Sequence, residues 1–320
     1  MRTPEHILIP HDFSTCSRQA LAYAMDLAAH TGAELHILHV EVIHSDSMLP
    51  EESNKTKAQI LHEHLKKELQ QCAAEDHIYV SDLNSIRYIV LRNVSAAAAI
   101  TQYCEEYGID LVVMGTHGRK GLSRNLLGSV AEEVVRMSST TVLTIREKEA
   151  IEPLADNLNR IMVPVDFSEY SRDALHYAKE LAALFGASID LVHVIEERLH
   201  PAFYNTGVFS IYDIEPGIET KLLDELKAFY KSVDGPDREA SFTVLYGNPS
   251  KEILHRLATE NTDMLILSTH GLTGVKRMLL GSVAEKLVRE APCPVITLKG
   301  TEPALKSISP WYSRHEKAPA

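Results

Sequence analysis

Two stretches of this chain set turn glycines and a Gly-Ser pair at a spacing suited to holding an anion. Thr116-His117-Gly118 is followed after nine residues by Gly128-Ser129, and Thr269-His270-Gly271 is followed after nine residues by Gly281-Ser282. Glycine has no Cβ, so Gly115 and Gly118 can take positive φ and let the backbone approach a ligand closely. A Gly-Ser pair opening a helix presents unpaired N–H groups and a hydroxyl at the positive end of the helix dipole, which attracts phosphate. The layout is a phosphate cradle, present twice. Upstream, Asp12-Phe13-Ser14 returns as Asp166-Phe167-Ser168, and a carboxylate at that place can accept hydrogen bonds from a ribose hydroxyl or an adenine amine.

Each piece also has a plainer reading. A lone Gly-x-x-Gly is usually a turn, a lone Gly-Ser is usually an N-cap, and Asp12 can cap a helix at residues 14 to 16. Arg119, Lys120 and Arg124 in the first loop, with Lys276 and Arg277 in the second, are placed to reach β- and γ-phosphates or simply to sit in solvent. What favours the joint reading is the position that the surrounding elements assign to all of these residues.

Those elements repeat with the motif. Leu126 to Glu132 recurs as Leu279 to Glu285, and the pattern from Ser17 to Ala33 recurs from Ser171 to Ala187. Two halves of about 150 residues, each large enough for its own core, indicate a duplicated domain and not a short-period solenoid. In the first half, apolar runs predict strands at 6–10, 35–40, 86–91, 110–114 and 141–145. Helical spacing or charge predicts helices at 15–31, about 50–74, 95–107 and 129–137. The second half repeats the strands at 160–163, 188–194, 242–246, 264–267 and 295–298. Strands alternating with helices imply parallel pairing with helices on both faces. In such a sheet ligands bind beyond the carboxyl ends of the strands, where the strand order reverses. Pro10-His11-Asp12 and Met114-Gly115 end the two strands that would floor that crevice, so the base of a nucleotide would lie near Asp12 and Val40, with its phosphates on Gly118, Gly128 and Ser129.

Bulk properties narrow the partners. The net charge of -12 is spread evenly: residues 1–152 hold 14 Lys and Arg against 21 Asp and Glu, and residues 153–299 hold 15 against 21. No basic half exists to neutralise a nucleic-acid backbone, and acidic protein is disfavoured at anionic membranes. Cys16, Cys72, Cys104 and Cys293 show no metal or disulfide spacing, and the 16 histidines show no HExxH or paired ligand pattern, so no metal site is expected. With neither a leader nor an apolar run of about 18 residues, a cytoplasmic protein is expected.

Gly115-x2-Gly118-x9-Gly128-Ser129, with Pro10-x-Asp12-Phe13-Ser14 before it and His39-Val40 ending the second strand, resembles the universal stress protein family. The resemblance covers residues 5–146 and 159–299 as a tandem pair. It implies two flavodoxin-like (Rossmann-like) five-stranded parallel-sheet sandwiches with strand order 3-2-1-4-5, and ATP or AMP as ligand, with or without magnesium. Carried over by position, adenine and ribose would meet Pro10, Asp12, Val40 and Met114, and the phosphates Gly115, Gly118, Gly128, Ser129 and Val130, with Arg119 beside them. The second site would comprise Pro164, Asp166, Val194, Ser268, Gly271, Gly281, Ser282 and Val283. Ser268 replaces the first motif glycine there, which predicts weaker binding if that position needs positive φ.

The expected domains are 1–148 and 159–299, joined by a linker at 149–158 and followed by a tail at 300–320 carrying Trp311. Residues 196–220 form a long excursion with Tyr204, Phe209 and Tyr212. In the family the last strands pair between subunits, so the apolar edges 141–145 and 295–298 imply an internal pseudo-dimer, compatible with further homodimerisation. The functional expectation is a nucleotide-dependent stress-response regulator. The alternatives are a slow ATPase or nucleotidyl-transfer enzyme and a non-binding scaffold. No GxxxxGK[ST] loop or obvious general base is present to support rapid turnover.

Overall fold

The structure, a computed structural model, describes residues 3–43, 51–75, 85–116, 127–147, 154–196, 217–269 and 280–299. The first half runs β1 (His6–Pro10), α1 (Thr15–Thr31), β2 (Glu34–Val42), α2 (Glu51–Glu75), β3 (Ile86–Asn93), α3 (Ala96–Tyr107), β4 (Leu111–Gly115), α4 (Ser129–Met137) and β5 (Thr141–Ile145). A short α5 (Leu154–Asn157) precedes the second half. That half comprises β6 (Arg160–Pro164), α6 (Glu169–Phe185), β7 (Ser188–Ile195), α7 (Ile218–Ser232), β8 (Ala240–Tyr246), α8 (Pro249–Thr259), β9 (Met264–Ser268), α9 (Ser282–Glu290) and β10 (Val295–Leu298).

Local chemistry explains most of these boundaries. Ser14 caps α1 by a capping box, its hydroxyl accepting from the Ser17 N–H while the Ser17 hydroxyl accepts from the Ser14 N–H. The helix stops at Gly32, whose φ of 75° is left-handed and comfortable only without a Cβ. Around α6, Ser168 accepts from the Ser171 N–H and Gly186 ends the helix in the same left-handed conformation, but the Ser171 hydroxyl accepts from the Asp166 N–H, so the reciprocal half of the capping box is replaced by Asp166. Between the caps, Leu21, Ala24, Leu27 and Ala28 fall on one buried stripe, as helical spacing demands.

The strands order as β3-β2-β1-β4-β5-β10-β9-β6-β7-β8 in a single sheet. Each half therefore has the 3-2-1-4-5 order of a flavodoxin-like sandwich, with all pairs inside a half parallel. Side chains alternate across the sheet. Ile7, Ile9 and Val113 join α1 and α2 on one face, while Leu8, Val112 and Met114 join α3 and α4 on the other. Each fully buried Leu, Ile or Val contributes about 1.5–3 kcal/mol from removal of its apolar surface from water. Both faces are thus filled, and the open ends of the strands are left for other uses. Between the halves, β5 and β10 pair antiparallel, with Val295 opposite Thr144, Ile296 opposite Leu143 and Thr297 opposite Val142. No helix among the described residues is long and apolar enough to cross a membrane.

Candidate functional site

The register of β1 with β2 sets Pro10 beside Leu38, and that with β4 sets Leu8 beside Val112. Continued to the strand ends, it brings Asp12, Val40 and Thr116 together at the carboxyl edge of the sheet. Pro10 is half-buried and His11 buried there. Phe13 then adopts a φ of 63°, and Phe167 in the second half does the same. A side chain in this left-handed region is unfavourable by roughly 1–2 kcal/mol, so both copies retain a strained residue at the same turn. The Phe13 ring lies 4.9 Å from the His39 ring, and the Phe167 ring 4.7 Å from His193. These contacts hold the turn against its strain.

The turn aims the carboxylates. Asp12 Oδ1 accepts from the Ser14 N–H at 3.1 Å and the Ser14 hydroxyl at 2.6 Å. Asp166 Oδ1 accepts from the Ser168 N–H at 3.1 Å and from the Ser168 and Ser171 hydroxyls at 2.5 Å each. Each aspartate is therefore anchored to the start of its helix. His39 Nδ1 stands 2.7 Å from the His11 carbonyl and His193 Nδ1 2.8 Å from the Val165 carbonyl. A carbonyl only accepts, so the proton sits on Nδ1 in both rings. Burial pushes the His193 pKa below its ordinary value, with the Val165 carbonyl opposing the shift.

Gly115 corrects one expectation. Its φ is not among the positive ones; it ends β4 in strand geometry, opposite Ile145. A Cβ built there would come within 2.7 Å of Cys16 Sγ and 2.9 Å of the Cys16 carbonyl carbon. The glycine is required because the first turn of α1 packs on the strand end, and not because the backbone is left-handed. Ser268 ends β9 at the corresponding place.

Beyond β4 the Gly128 N–H donates to the Thr116 carbonyl at 2.6 Å, and beyond β9 the Gly281 N–H donates to the Thr269 carbonyl at 3.0 Å. These two bonds fold the helix start back onto the strand end. A Cβ at Gly281 would meet that carbonyl at 3.3 Å. Gly128 and Gly281 are the N-caps of α4 and α9, and neither helix has a side-chain cap among the described residues. By contrast, Ser14, Ser95, Ser168 and Asn248 cap their helices with side-chain oxygens. The first-turn N–H groups at Ser129, Val130, Ser282 and Val283 have no intrahelical acceptor by geometry. Ser129 and Ser282 are exposed, as is Val130, while Val283 is half-buried. Met114, Val40 and Leu127 share an apolar cluster on the α3–α4 face, matched in the second half by Leu267, Val194, Leu280 and Val283.

The structure thus brings Pro10, Asp12, Val40, Met114, Gly115, Gly128, Ser129 and Val130 to one edge, and Pro164, Asp166, Val194, Ser268, Gly281, Ser282 and Val283 to the matching edge. Gly118, Arg119 and Gly271 lie outside the described residues, as do His117, Lys120, Arg124, His270, Lys276, Arg277 and most of 196–220. Thr116, Thr269 and Leu267 were not among the expected site residues. The offset between the halves identifies Leu267 as the counterpart of Met114, whereas only the backbone path reveals the two threonine carbonyls. Among the described residues no group of three metal-ligating side chains converges.

Known proteins agree with this architecture. The pattern of the universal stress protein family matches residues 4–146 and again 157–299. A universal stress protein of Methanocaldococcus jannaschii is 30% identical over 155 residues, spanning 44% of this chain and 94% of that protein. One of Mycobacterium tuberculosis is 28% identical over 193 residues, 59% of this chain and 62% of that protein. A solved universal stress protein from Archaeoglobus fulgidus shares the fold at a TM-score of 0.64 and 21% identity, over 92% of this chain and 98% of that one. Matched twice along its length by one family pattern, the chain belongs to the universal stress protein family as a tandem of two copies.

Proposed function

We propose that this protein is a cytoplasmic stress-response regulator that binds an adenine nucleotide, ATP or AMP, and responds to occupancy instead of turning substrate over efficiently. The observation that carries the reading is the pairing, in each half, of a glycine-started helix, without a side-chain cap among the described residues, with an aspartate turn at the same sheet edge. Phosphates would lie on the N–H groups of Ser129 and Val130 and on the Gly118 loop with Arg119, where the helix dipole favours negative charge. Adenine would lie against Val40 and Met114, and ribose toward Pro10, Asp12 and Gly115. Magnesium would bind through the phosphates, since no side-chain cluster offers it a cage among the described residues.

The second site, built on Pro164, Asp166, Val194, Ser268, Gly271, Gly281, Ser282 and Val283, is proposed to bind more weakly. Ser268 adds a Cβ where the first copy has no room for one, so strand end and helix start must be spaced differently around the second crevice. We further propose domains at 1–148 and 159–299 with a linker at 149–158, held as an internal pseudo-dimer by the β5–β10 pair. Calorimetric titration with ATP and magnesium tests these assignments together. Binding in the wild type, with Ser268→Gly tightening the weaker phase, is the expected result. No heat at roughly millimolar nucleotide would end the nucleotide reading, and an unchanged weak phase would end the asymmetry. Phosphate release faster than roughly one per second would make the protein an ordinary enzyme instead.

A further inference from the structure

Beside the β5–β10 pair, the contacts between the halves obey the same 153-residue offset as the sequence repeat. The Thr144 hydroxyl donates to the Val295 carbonyl at 3.2 Å, and the Thr297 hydroxyl donates to the Val142 carbonyl at 3.2 Å. Two residues farther on, just past the end of each strand, stands a cation. Arg146 Nη1 donates to the carbonyls of Glu290 and Ala291 at 3.2 Å each, and Lys299 Nζ donates to the Arg136 carbonyl at 2.8 Å. Glu290 and Ala291 close α9, and Arg136 lies in the last turn of α4. Each half therefore places a positive charge on the negative end of the helix whose other end is the candidate phosphate cradle of the opposite half.

We propose that Arg146 and Lys299 are reciprocal positioning residues, each fixing the cradle helix of the opposite half, so that neither nucleotide site is complete without the neighbouring domain. The inference rests on the nucleotide reading above and adds to it an energetic link between the sites. Its physics follows from helix length. Nine residues span about 13 Å, and a helix this short has little stability of its own. Its N–H and C=O groups belong to one hydrogen-bonded rod, so restraint at the carbonyl end is felt at the amide end. The cation also completes the dipole whose positive end faces the phosphate. Burial lowers the Lys299 pKa to about 8, which leaves the side chain mostly charged near neutrality. The two clamps are not identical, since Arg146 spans two carbonyls and Lys299 holds one.

The test uses the full chain with one site silenced by like charge. With Ser282→Glu, ATP reports the first site; there Lys299→Met should weaken binding roughly two- to fivefold, the range set by one helix-terminal charge, and Lys299→Arg should restore it. With Ser129→Glu, Arg146→Met should act in the same way on the second site, and Arg146→Lys should restore it. Hydrogen exchange without nucleotide supplies an independent readout: Lys299→Met should speed exchange in α4 and leave α9 unchanged, and Arg146→Met the reverse. Equal effects on both helices, or none, would overturn the clamp even where ATP still binds. An absence of ATP binding in the parent chain would instead defeat the nucleotide reading, with exchange still judging the clamp.

Discussion

At the residue scale, two buried histidines make stability depend on pH. His36 is buried with Nδ1 2.9 Å from the Tyr103 hydroxyl, and burial lowers its pKa although Glu34 pulls the other way. His193 is lowered by burial as well. The folded chain keeps both neutral below 6.5, the ordinary value, while the unfolded chain takes up protons there. Falling pH therefore favours unfolding, by up to about 1.4 kcal/mol per pH unit for each histidine. Glu34 is held below 4.5, chiefly by its hydrogen bond from Arg87, so it stays ionised across this window and adds no slope. Urea midpoints should drop between about pH 7.5 and 5.5, and the slope should flatten when His36→Gln and His193→Asn are combined. The same slope in the double variant would show that other groups carry it.

At the element scale, the halves solve one packing problem with different chemistry. His36 on β2 meets Tyr103 on α3. At the equivalent place Asp190 on β7, with no exposed surface, meets Arg256 on α8. Arg256 Nε donates to Asp190 Oδ2 at 2.9 Å, and the Ser241 hydroxyl donates to Oδ1 at 2.8 Å. Such a pair welds α8 to the sheet only while both members are present, since a buried charge without its partner is strongly unfavourable. Arg256→Met should cost about 3 kcal/mol or more, whereas Arg256→Met with Asp190→Asn should lose less than the sum of the single changes. Chemical denaturation of the three variants measures the coupling, and simple additivity would show that Arg160, 3.7 Å from Asp190, already compensates. Helix starts, by contrast, match between the halves: α1, α3, α6 and α8 are closed by side-chain oxygens, while α4 and α9, like α7 at Gly217, start on a glycine with no side-chain cap among the described residues.

At the scale of the whole molecule, the seam decides whether the chain behaves as one body. Val142 and Val295 are 1% and 2% exposed on the paired strands, and edges of this kind are adhesive when uncovered. Replacing both by Asp places two charges in the shared core and should part the halves. Small-angle scattering should then show an extended envelope while circular dichroism keeps the signature of folded domains. An unchanged envelope would mean that other contacts, such as His30 against Phe185 across the seam at 5.1 Å, are sufficient.

Much of the fold and part of the site could be read before any coordinates. Strand and helix periodicities, the duplication and the spacing from Gly118 to Ser129 are properties of neighbouring residues, so they survive in a linear string, whereas the helix cap offered by Asp12 fell in the structure to Ser14, which Asp12 itself holds. Several strand ends extended beyond the apolar runs that announced them, because ladder hydrogen bonds continue wherever a partner strand lies alongside; β2, for example, reaches Val42. The left-handed Phe13 and Phe167 carried no signal, since their strain is balanced by rings brought in from β2 and β7. Lys179 stands where the first half has Met25, yet it is buried with its Nζ 4.0 Å from the Tyr230 ring centre and 2.9 Å from the Val233 carbonyl. No composition rule anticipates a buried lysine without knowing what surrounds it. What the amino-acid string determined by itself was the order of elements and the chemistry offered at the strand ends. Why Gly115 must lack a side chain, which carbonyls receive Arg146 and Lys299, and which polar groups are buried together were settled only in three dimensions, because these depend on surfaces far apart in the chain meeting at van der Waals distance.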